Sequence, residues 1–238
     1  MQTPITSNSI EWRDGQPYAS AFQDVYFSTD NGLEETKFVF LTQNDLAIRF
    51  KNLKNANFTI AETGFGTGLN FLSAWQLWSE HAPSDSCLHF ISVEKYPLTV
   101  DDISLAQAYW PTLADYSQQL LTQYRQLTPG IHQLSFANGK VTLNLLIGDV
   151  SEMLPQIETP VEAWFLDGFS PAKNPDMWSA SLFQNMARLS HSLTTFATFT
   201  SAGDVRRGLQ AVGFQVKKLA GFGKKREMLR GHFIGNVS

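Results

Sequence analysis

The sequence predicts an α/β fold built on a mostly parallel central sheet, and three observations predict it. From Asn57 onward short apolar runs alternate with stretches of helical periodicity, the pattern of right-handed βαβ units. A glycine cluster, Gly64-Phe65-Gly66-Thr67-Gly68, falls where the first run gives way to the first helical stretch, the one context in which such a cluster carries meaning. Glu94 closes the second run, at the position where an acidic side chain holds ribose hydroxyls in open sheets of this class.

In chain order, residues 1–9 are polar and are expected to be poorly ordered. The segment 10–27 is broken by Asp14-Gly15 and Pro17 and reads as turns and a hairpin. We expect residues 1–55 to form an N-terminal, β-rich extension that packs on a main domain of residues 56–238 and covers its ligand cleft. Glu34-Glu35-Thr36 reads as the charged first turn of a helix; alternatively Tyr26, Glu35 and Asn44 face a ligand. The first strand ends at Glu62, and its helix runs from Gly68 to His81. The second strand is Leu88–Val93. Helices are expected over 97–109 and 114–124, separated by Trp110-Pro111. The aromatics Tyr109, Trp110, Tyr116 and Tyr124 either pack between these helices or stack on bases. Ala137-Asn138-Gly139 between alternating apolar runs is a hairpin signal. Asp149 follows the second strand of that hairpin; it suits either an amino group of a bound base or the N-cap of a helix over 151–154. The buried strand Val161–Leu166 ends in Asp167, and the loop beyond it carries Gly168, Pro171 and Pro175. A carboxylate at that strand tip lies beside the glycine turn across the switch point of the sheet. A helix from Met177 to Leu189 follows, with His191 at its end. A strand over 193–200, a helix over 202–211, a strand over 214–219, a basic loop and a last strand complete the chain.

Composition narrows the function classes. The chain has 238 residues with 43% hydrophobic content, enough for one large α/β core or a domain with an appendage. No apolar run approaches the roughly 18 residues needed to span a membrane, and no leader follows Met1, so a cytoplasmic protein is expected. The single cysteine, Cys87, rules out an internal disulfide and a cysteine metal cluster. No His, Cys and Asp set falls at metal-ligand spacing, so no metal is expected. The formal net charge is −4, yet basic residues crowd the C-terminal end from Arg206 to Arg230. Such a face binds RNA or is simply solvated.

The glycine spacing sharpens the reading. Dinucleotide folds use Gly-x-Gly-x-x-Gly, whereas here it is Gly-x-Gly-x-Gly with Glu62 just before it. That form resembles motif I of the Rossmann-like methyltransferases that bind S-adenosylmethionine (SAM). SAM presents a cationic sulfonium and an α-amino group, and an acidic residue beside the turn suits both. A tight strand-to-helix turn with no ligand is the plainer alternative.

A more specific resemblance runs from about Ile10 to Gly231. It is carried by Asp24-Val25-Tyr26-Phe27-Ser28, by the block Glu62 to Leu72 and by Asp167-Gly168-Phe169-Ser170-Pro171-Ala172-Lys173-Asn174-Pro175. The block Phe199 to Leu209 and Gly221-Phe222-Gly223-Lys224-Lys225-Arg226-Glu227 carry it further. Together they resemble the methyltransferase domain of the bacterial tRNA 5-methylaminomethyl-2-thiouridine biosynthesis family (MnmC). The resemblance implies a class I SAM methyltransferase with a terminal antiparallel hairpin. It implies methyl transfer to the amine of 5-aminomethyl-(2-thio)uridine at the tRNA wobble position. In many relatives an FAD-dependent oxidase domain follows and acts first; such a domain, or a separate protein, is an implied partner.

On this reading Asp167 is the catalytic residue, orienting the amine and taking its proton. Cofactor contacts are expected from Tyr26, Glu35, Glu62, Gly64, Phe65, Gly66, Gly68, Asn70, Glu94, Lys95, Asp149 and Asp167. Substrate or tRNA contacts are expected from Phe169, Lys173, Asn174, Arg206, Arg207, Lys224, Lys225 and Arg226. Two other classes stay open: a SAM enzyme acting on a free small amine, and a non-enzymatic module that binds RNA or a partner through the basic tail.

Overall fold

The computed structural model describes residues 10–13, 16–54, 56–125 and 127–235. Residues 1–9 and the turn expected at Asp14-Gly15 lie outside them. The described residues begin with three short antiparallel strands, β1 (Glu11–Arg13), β2 (Gln16–Ala19) and β3 (Asp24–Val25). It then turns helical: α1 (Gly32–Thr36) runs without a break into a π-helical stretch, Lys37–Thr42, and α2 (Leu46–Lys51) follows. The extension is therefore β only in its first half. Asp45, in the left-handed region at φ 55°, separates the two helical pieces.

The remaining elements alternate as the sequence predicts. They are β4 (Asn57–Thr63), α3 (Leu69–His81), β5 (Cys87–Glu94), α4 (Val100–Gln107), α5 (Ala114–Gln123), β6 (Gly130–Phe136) and β7 (Val141–Ile147). Then come α6 (Val150–Met153), β8 (Val161–Leu166), α7 (Ala180–Leu189), β9 (Ser190–Thr198), α8 (Gly203–Ala211), β10 (Phe214–Ala220) and β11 (Glu227–Phe233). Helix starts differ from expectation where a side chain caps later. Thr99 accepts from the Asp102 N–H and starts α4 at Val100, and Ser179 accepts from the Leu182 N–H and starts α7 at Ala180. His191 belongs to β9 rather than to a helix end, and its ring lies 3.5 Å from Glu162.

Among the described residues eight strands form one sheet, in the order β10-β11-β9-β8-β4-β5-β7-β6. The five in the middle are parallel; β6 pairs antiparallel with β7 at one edge, and β11 and β10 close the other edge antiparallel. Parallel strands with helices on both faces are covered on both sides, and every residue of β4 after Asn57 is buried. Successive side chains serve opposite faces. Phe58 and Ile60 join Phe90, Leu143 and Phe165 in a core with α3, α4 and α5. Ala61, Ile91, Leu146, Trp164 and Leu166 join a second core with α6, α7 and α8. Residues of the extension enter the first core: Phe40 lies 5.2 Å from Phe165 and Phe50 sits edge-on to Phe58 at 5.0 Å. At about 2–3 kcal/mol per buried large apolar side chain, this packing ties the extension firmly to the sheet.

Candidate active site

The carboxyl ends of β4, β5, β7 and β8 open on a cavity of about 600 Å³. Its back wall is the glycine turn after β4. Gly64 has φ +84°, and a Cβ there would lie 3.2 Å from the Gly168 Cα, itself at φ +105°. The backbones of the β4 and β8 turns thus touch, glycine on glycine. The Gly64 N–H donates to the Val93 carbonyl at 2.8 Å, which joins the turn to β5 as well. Gly68, at φ +77°, begins α3 behind the turn and does not line the cavity. Phe65 stacks on Tyr124 at 6.0 Å, and Gln107 donates to the Thr67 carbonyl at 2.7 Å, so α4 and α5 brace the loop from below.

Glu94 joins two turns. One carboxylate oxygen accepts from the Gly66 N–H at 3.0 Å and the other from the Tyr96 N–H at 2.8 Å. Burial raises its pKa, and these backbone donors work against the rise. Next to it, Lys95 donates to Asp149 at 2.8 Å, and Asp149 accepts from the Ser151 N–H as the N-cap of α6. Asp149 is thus the N-cap of the helix, as the second of its two readings has it, and it also lines the cavity. Burial opposes its ionisation, but hydrogen bonds from Lys95 and Ser151 outweigh that and bring it down to about 2.

Asp167 stands on the cavity floor at the tip of β8. Burial pushes its carboxyl up to about 6; hydrogen bonds from Gly168 and Asn70 and the nearby Lys225 charge restrain the rise, and Glu35 adds to it. Its Oδ2 accepts from Asn70 Nδ2 at 2.7 Å, and its carbonyl accepts from the Thr63 hydroxyl at 2.9 Å. Beneath it, Glu62 does not line the cavity. It is 1% exposed, and its two oxygens accept from Asn70 Nδ2 at 2.8 Å and from the Ser92 hydroxyl at 2.7 Å. Burial holds Glu62 well above the ordinary carboxylate range.

The extension supplies the front wall. Phe22 stacks on Phe169 at 4.3 Å, and Tyr26 meets the same ring edge-on at 5.4 Å. Lys173 donates to the Gln23 carbonyl and pairs with Asp24 at 3.1 Å, fastening the loop after β8 to the extension. That loop is fixed from behind by Trp178, whose indole N–H donates to the Phe169 carbonyl at 3.0 Å. Glu35 and Asn174 also line the cavity. Lys225 turns into the cavity mouth, pairs with Glu35 at 2.6 Å and lies 4.6 Å above the Phe199 ring.

The sequence grouped Lys225 with Lys224 and Arg226, but only Lys225 reaches the cavity; Arg206, Arg207, Lys224 and Arg226 lie off it. Arg207 is paired with Asp204, whereas Arg206 Nε is buried with no partner among the described residues. Asn44 is fully buried, bonded to the Phe40 carbonyl and the Thr195 hydroxyl, and faces no ligand. Of the four aromatics after α4, Trp110 and Tyr124 are buried in the core, Tyr116 packs on Trp75, and Tyr109 stacks on Trp12. Sequence reasoning missed Phe22, Thr36, Ser92 and Phe199. Thr36 alone carried a signal, since it directly follows the Glu-Glu pair.

The lining fits SAM. A cavity of 600 Å³ lies inside the usual ligand range. Gly64 and Gly66 leave main chain bare where side chains would fill the space. Six carboxylates (Asp24, Glu35, Glu94, Asp149, Asp167, Asp176) face three lysines (Lys95, Lys173, Lys225), each of them already paired with a carboxylate. Such a lining favours a cationic ligand with hydroxyls over a pyrophosphate.

Fold and site together define a SAM-dependent methyltransferase, and the chain belongs to that family: the family described as "S-adenosyl-L-methionine-dependent methyltransferase" matches residues 111–233. Among relatives, the chain is 57% identical over 233 residues to the tRNA 5-methylaminomethyl-2-thiouridine biosynthesis bifunctional protein MnmC of Methylobacillus flagellatus, covering 98% of this chain and 36% of that one. It is 58% identical over 223 residues to the protein of the same name from Chromobacterium violaceum, covering 93% and 34%. The chain thus spans about a third of the length of these relatives. Its backbone is similar to the crystal structure of MNMC2 from Aquifex aeolicus, with a TM-score of 0.76 at 20% identity, covering 99% of this chain and 73% of that one. Among the described residues no helix is long and apolar enough to cross a membrane.

Proposed function

We propose that the chain methylates the amine of 5-aminomethyl-(2-thio)uridine at the tRNA wobble position, giving 5-methylaminomethyl-(2-thio)uridine. The observation that carries this reading is the high identity, across nearly the whole chain, to proteins named for that modification, joined to a cavity with Asp167 at its floor. The bifunctional relatives point to a second activity, an FAD-dependent oxidase fused or separate, that supplies the amine. Residues 1–55 serve as the extension that closes the site and 56–238 as the catalytic domain. The protein works in the cytoplasm, where its tRNA substrate is.

Bound SAM supplies a methyl group on a sulfonium, and the chain does the rest. A protonated amine has no lone pair for attack. Asp167 accepts a hydrogen bond from the amine, takes its proton and aligns the nitrogen with the methyl. Tyr26, Glu35, Gly64, Phe65, Gly66, Glu94, Lys95 and Asp149 hold the cofactor, with Glu62 and Gly68 supporting them from below. Phe169 offers a ring face to the uracil, and Asn174 and Lys173 shape the loop around it. The test is transfer from labelled SAM to tRNA from a strain lacking the activity, followed by nucleoside analysis. Labelled methylaminomethyl-uridine is the expected product. SAM binding without transfer to tRNA, but with transfer to a free amine, would move the acceptor to a small molecule.

Arg206, Arg207, Lys224 and Arg226 are assigned to tRNA phosphates. Because Lys225 faces the cavity, the clean test replaces Lys224 and Arg226 only. Removing both should weaken tRNA binding and flatten its dependence on salt by about one to two units of log–log slope. An unchanged slope would reject the assignment.

A further inference from the structure

We infer that Asn70 is a positioning residue for Asp167 and not a cofactor contact. The inference rests on Asp167 being the catalytic carboxylate. Every polar atom of the Asn70 amide is committed inside the protein. Its Oδ1 accepts from the Thr36 hydroxyl at 2.9 Å. Its Nδ2 donates to Glu62 at 2.8 Å and to Asp167 at 2.7 Å. The ionised Asp167 carboxylate can only accept, so the amide nitrogen faces it and Oδ1 is left to the Thr36 hydroxyl, which donates. Glu62 is in turn held by Ser92. Three elements thus fix the Asn70 amide of α3: α1 through Thr36, β4 through Glu62 and β5 through Ser92 behind Glu62. The amide alone of these reaches Asp167. No other side chain of this length presents one acceptor and two donors. An aspartate would set a third carboxyl between Glu62 and Asp167, and alanine would leave Asp167 with the Gly168 N–H but without the side-chain donor that aims it.

This arrangement also explains the place of Glu62. The carboxylate before the glycine turn acts one residue removed from the ligand, as the anchor of the amide that aims Asp167. The charged or ionisable groups that act on Asp167 are Glu62 from β4, Glu35 from α1 and Lys225 from the loop before β11, with Glu94 from β5 acting on Glu62. Of these, none donates a hydrogen bond to the Asp167 carboxylate; Asn70 and the Gly168 N–H do.

The experiment is a double-mutant cycle on kcat with SAM affinity and the pH profile read alongside. Asn70→Ala should lower kcat about 10–100-fold, as expected for a misaimed group, with SAM affinity changed less than about threefold. Its ascending pH limb should move upward, since a donor to the carboxylate is gone. In the Asp167→Ala background the same change should have almost no further effect on kcat. Thr36→Val, which keeps shape and loses only the hydroxyl, should give a smaller loss of the same kind should Asn70→Ala fold poorly. Loss of SAM affinity by tenfold or more with kcat kept would make Asn70 a cofactor contact and overturn the inference. Additive losses in the double variant, or an unmoved pH limb, would overturn it too while leaving Asp167 catalytic. An Asp167→Ala enzyme with full kcat would overturn the role of Asp167 and this inference together.

Discussion

Asp167→Ala is expected to lower kcat for methyl transfer by about 10²–10⁴-fold while SAM affinity stays within a few-fold. The carboxylate sits on the floor between the β4 and β8 turns, where an acceptor amine would meet the methyl. Burial brings it up to about 6, so it is mostly ionised yet still basic at neutral pH. The ascending limb of kcat/KM should therefore fall near that pH and vanish in the variant. Equal loss of SAM binding and turnover would make Asp167 a cofactor or structural residue. The same shift predicts the opposite effect on stability. A raised carboxyl pKa favours folding below the unfolded value near 3.8, and that advantage is lost as pH rises through about 6. Above that pH the buried charge costs up to roughly 3 kcal/mol. Asp167→Asn should thus raise the melting temperature at pH 7.5, with the gain fading toward pH 4. A gain independent of pH would reject the account.

Gly64→Ala is expected to weaken SAM binding by at least about tenfold and to cost about 2–3 kcal/mol of stability. Its φ of +84° is one that alanine adopts only under strain. The new Cβ would press on the Gly168 Cα at 3.2 Å and on its nitrogen at 3.5 Å. These are backbone atoms of a neighbouring strand turn and cannot rotate aside. On the other side the turn is held to Val93, so relief requires β4 and β8 to part. Gly168→Ala is a contrast in sterics alone: its φ of +105° carries the same backbone strain, but the obstruction there is the flexible Met177 side chain. Calorimetry with SAM and thermal melts of both variants check this. Wild-type affinity in Gly64→Ala would show that the turn does not meet the ligand closely.

The sheet was legible because its signals are local: a glycine cluster after an apolar run, alternation around Asn138-Gly139, and Asp167 at a strand tip. The helices capped by Thr99 and Ser179 start three residues later than the sequence suggests, since these caps compete with turns upstream. The polar layer under the site was not legible. Thr36, Asn70, Ser92 and Asp167 lie far apart in sequence, and no periodicity announces a hydrogen bond between them. Lys225 was misgrouped for the same reason. A run of three basic residues looks uniform, and only the backbone path decides which of them faces Glu35.

The distance along the chain between the halves of the site has its own effect on how the protein forms. Thr63 and Asp167, bonded in the finished fold, are separated by 104 positions, and Asn70 and Asp167 by 97. During synthesis β4, α3 and β5 can associate early, leaving a glycine turn with no floor beneath it. The floor arrives only when β8 inserts on the other side of β4, a closure of high contact order and correspondingly slow. SAM has no complete pocket before that event. Cofactor binding is therefore linked to a long-range step of folding, and at a hundredfold excess over Kd it would hold that step closed by about 2.7 kcal/mol. Scarce SAM would therefore leave more of this chain in the open, protease-sensitive form.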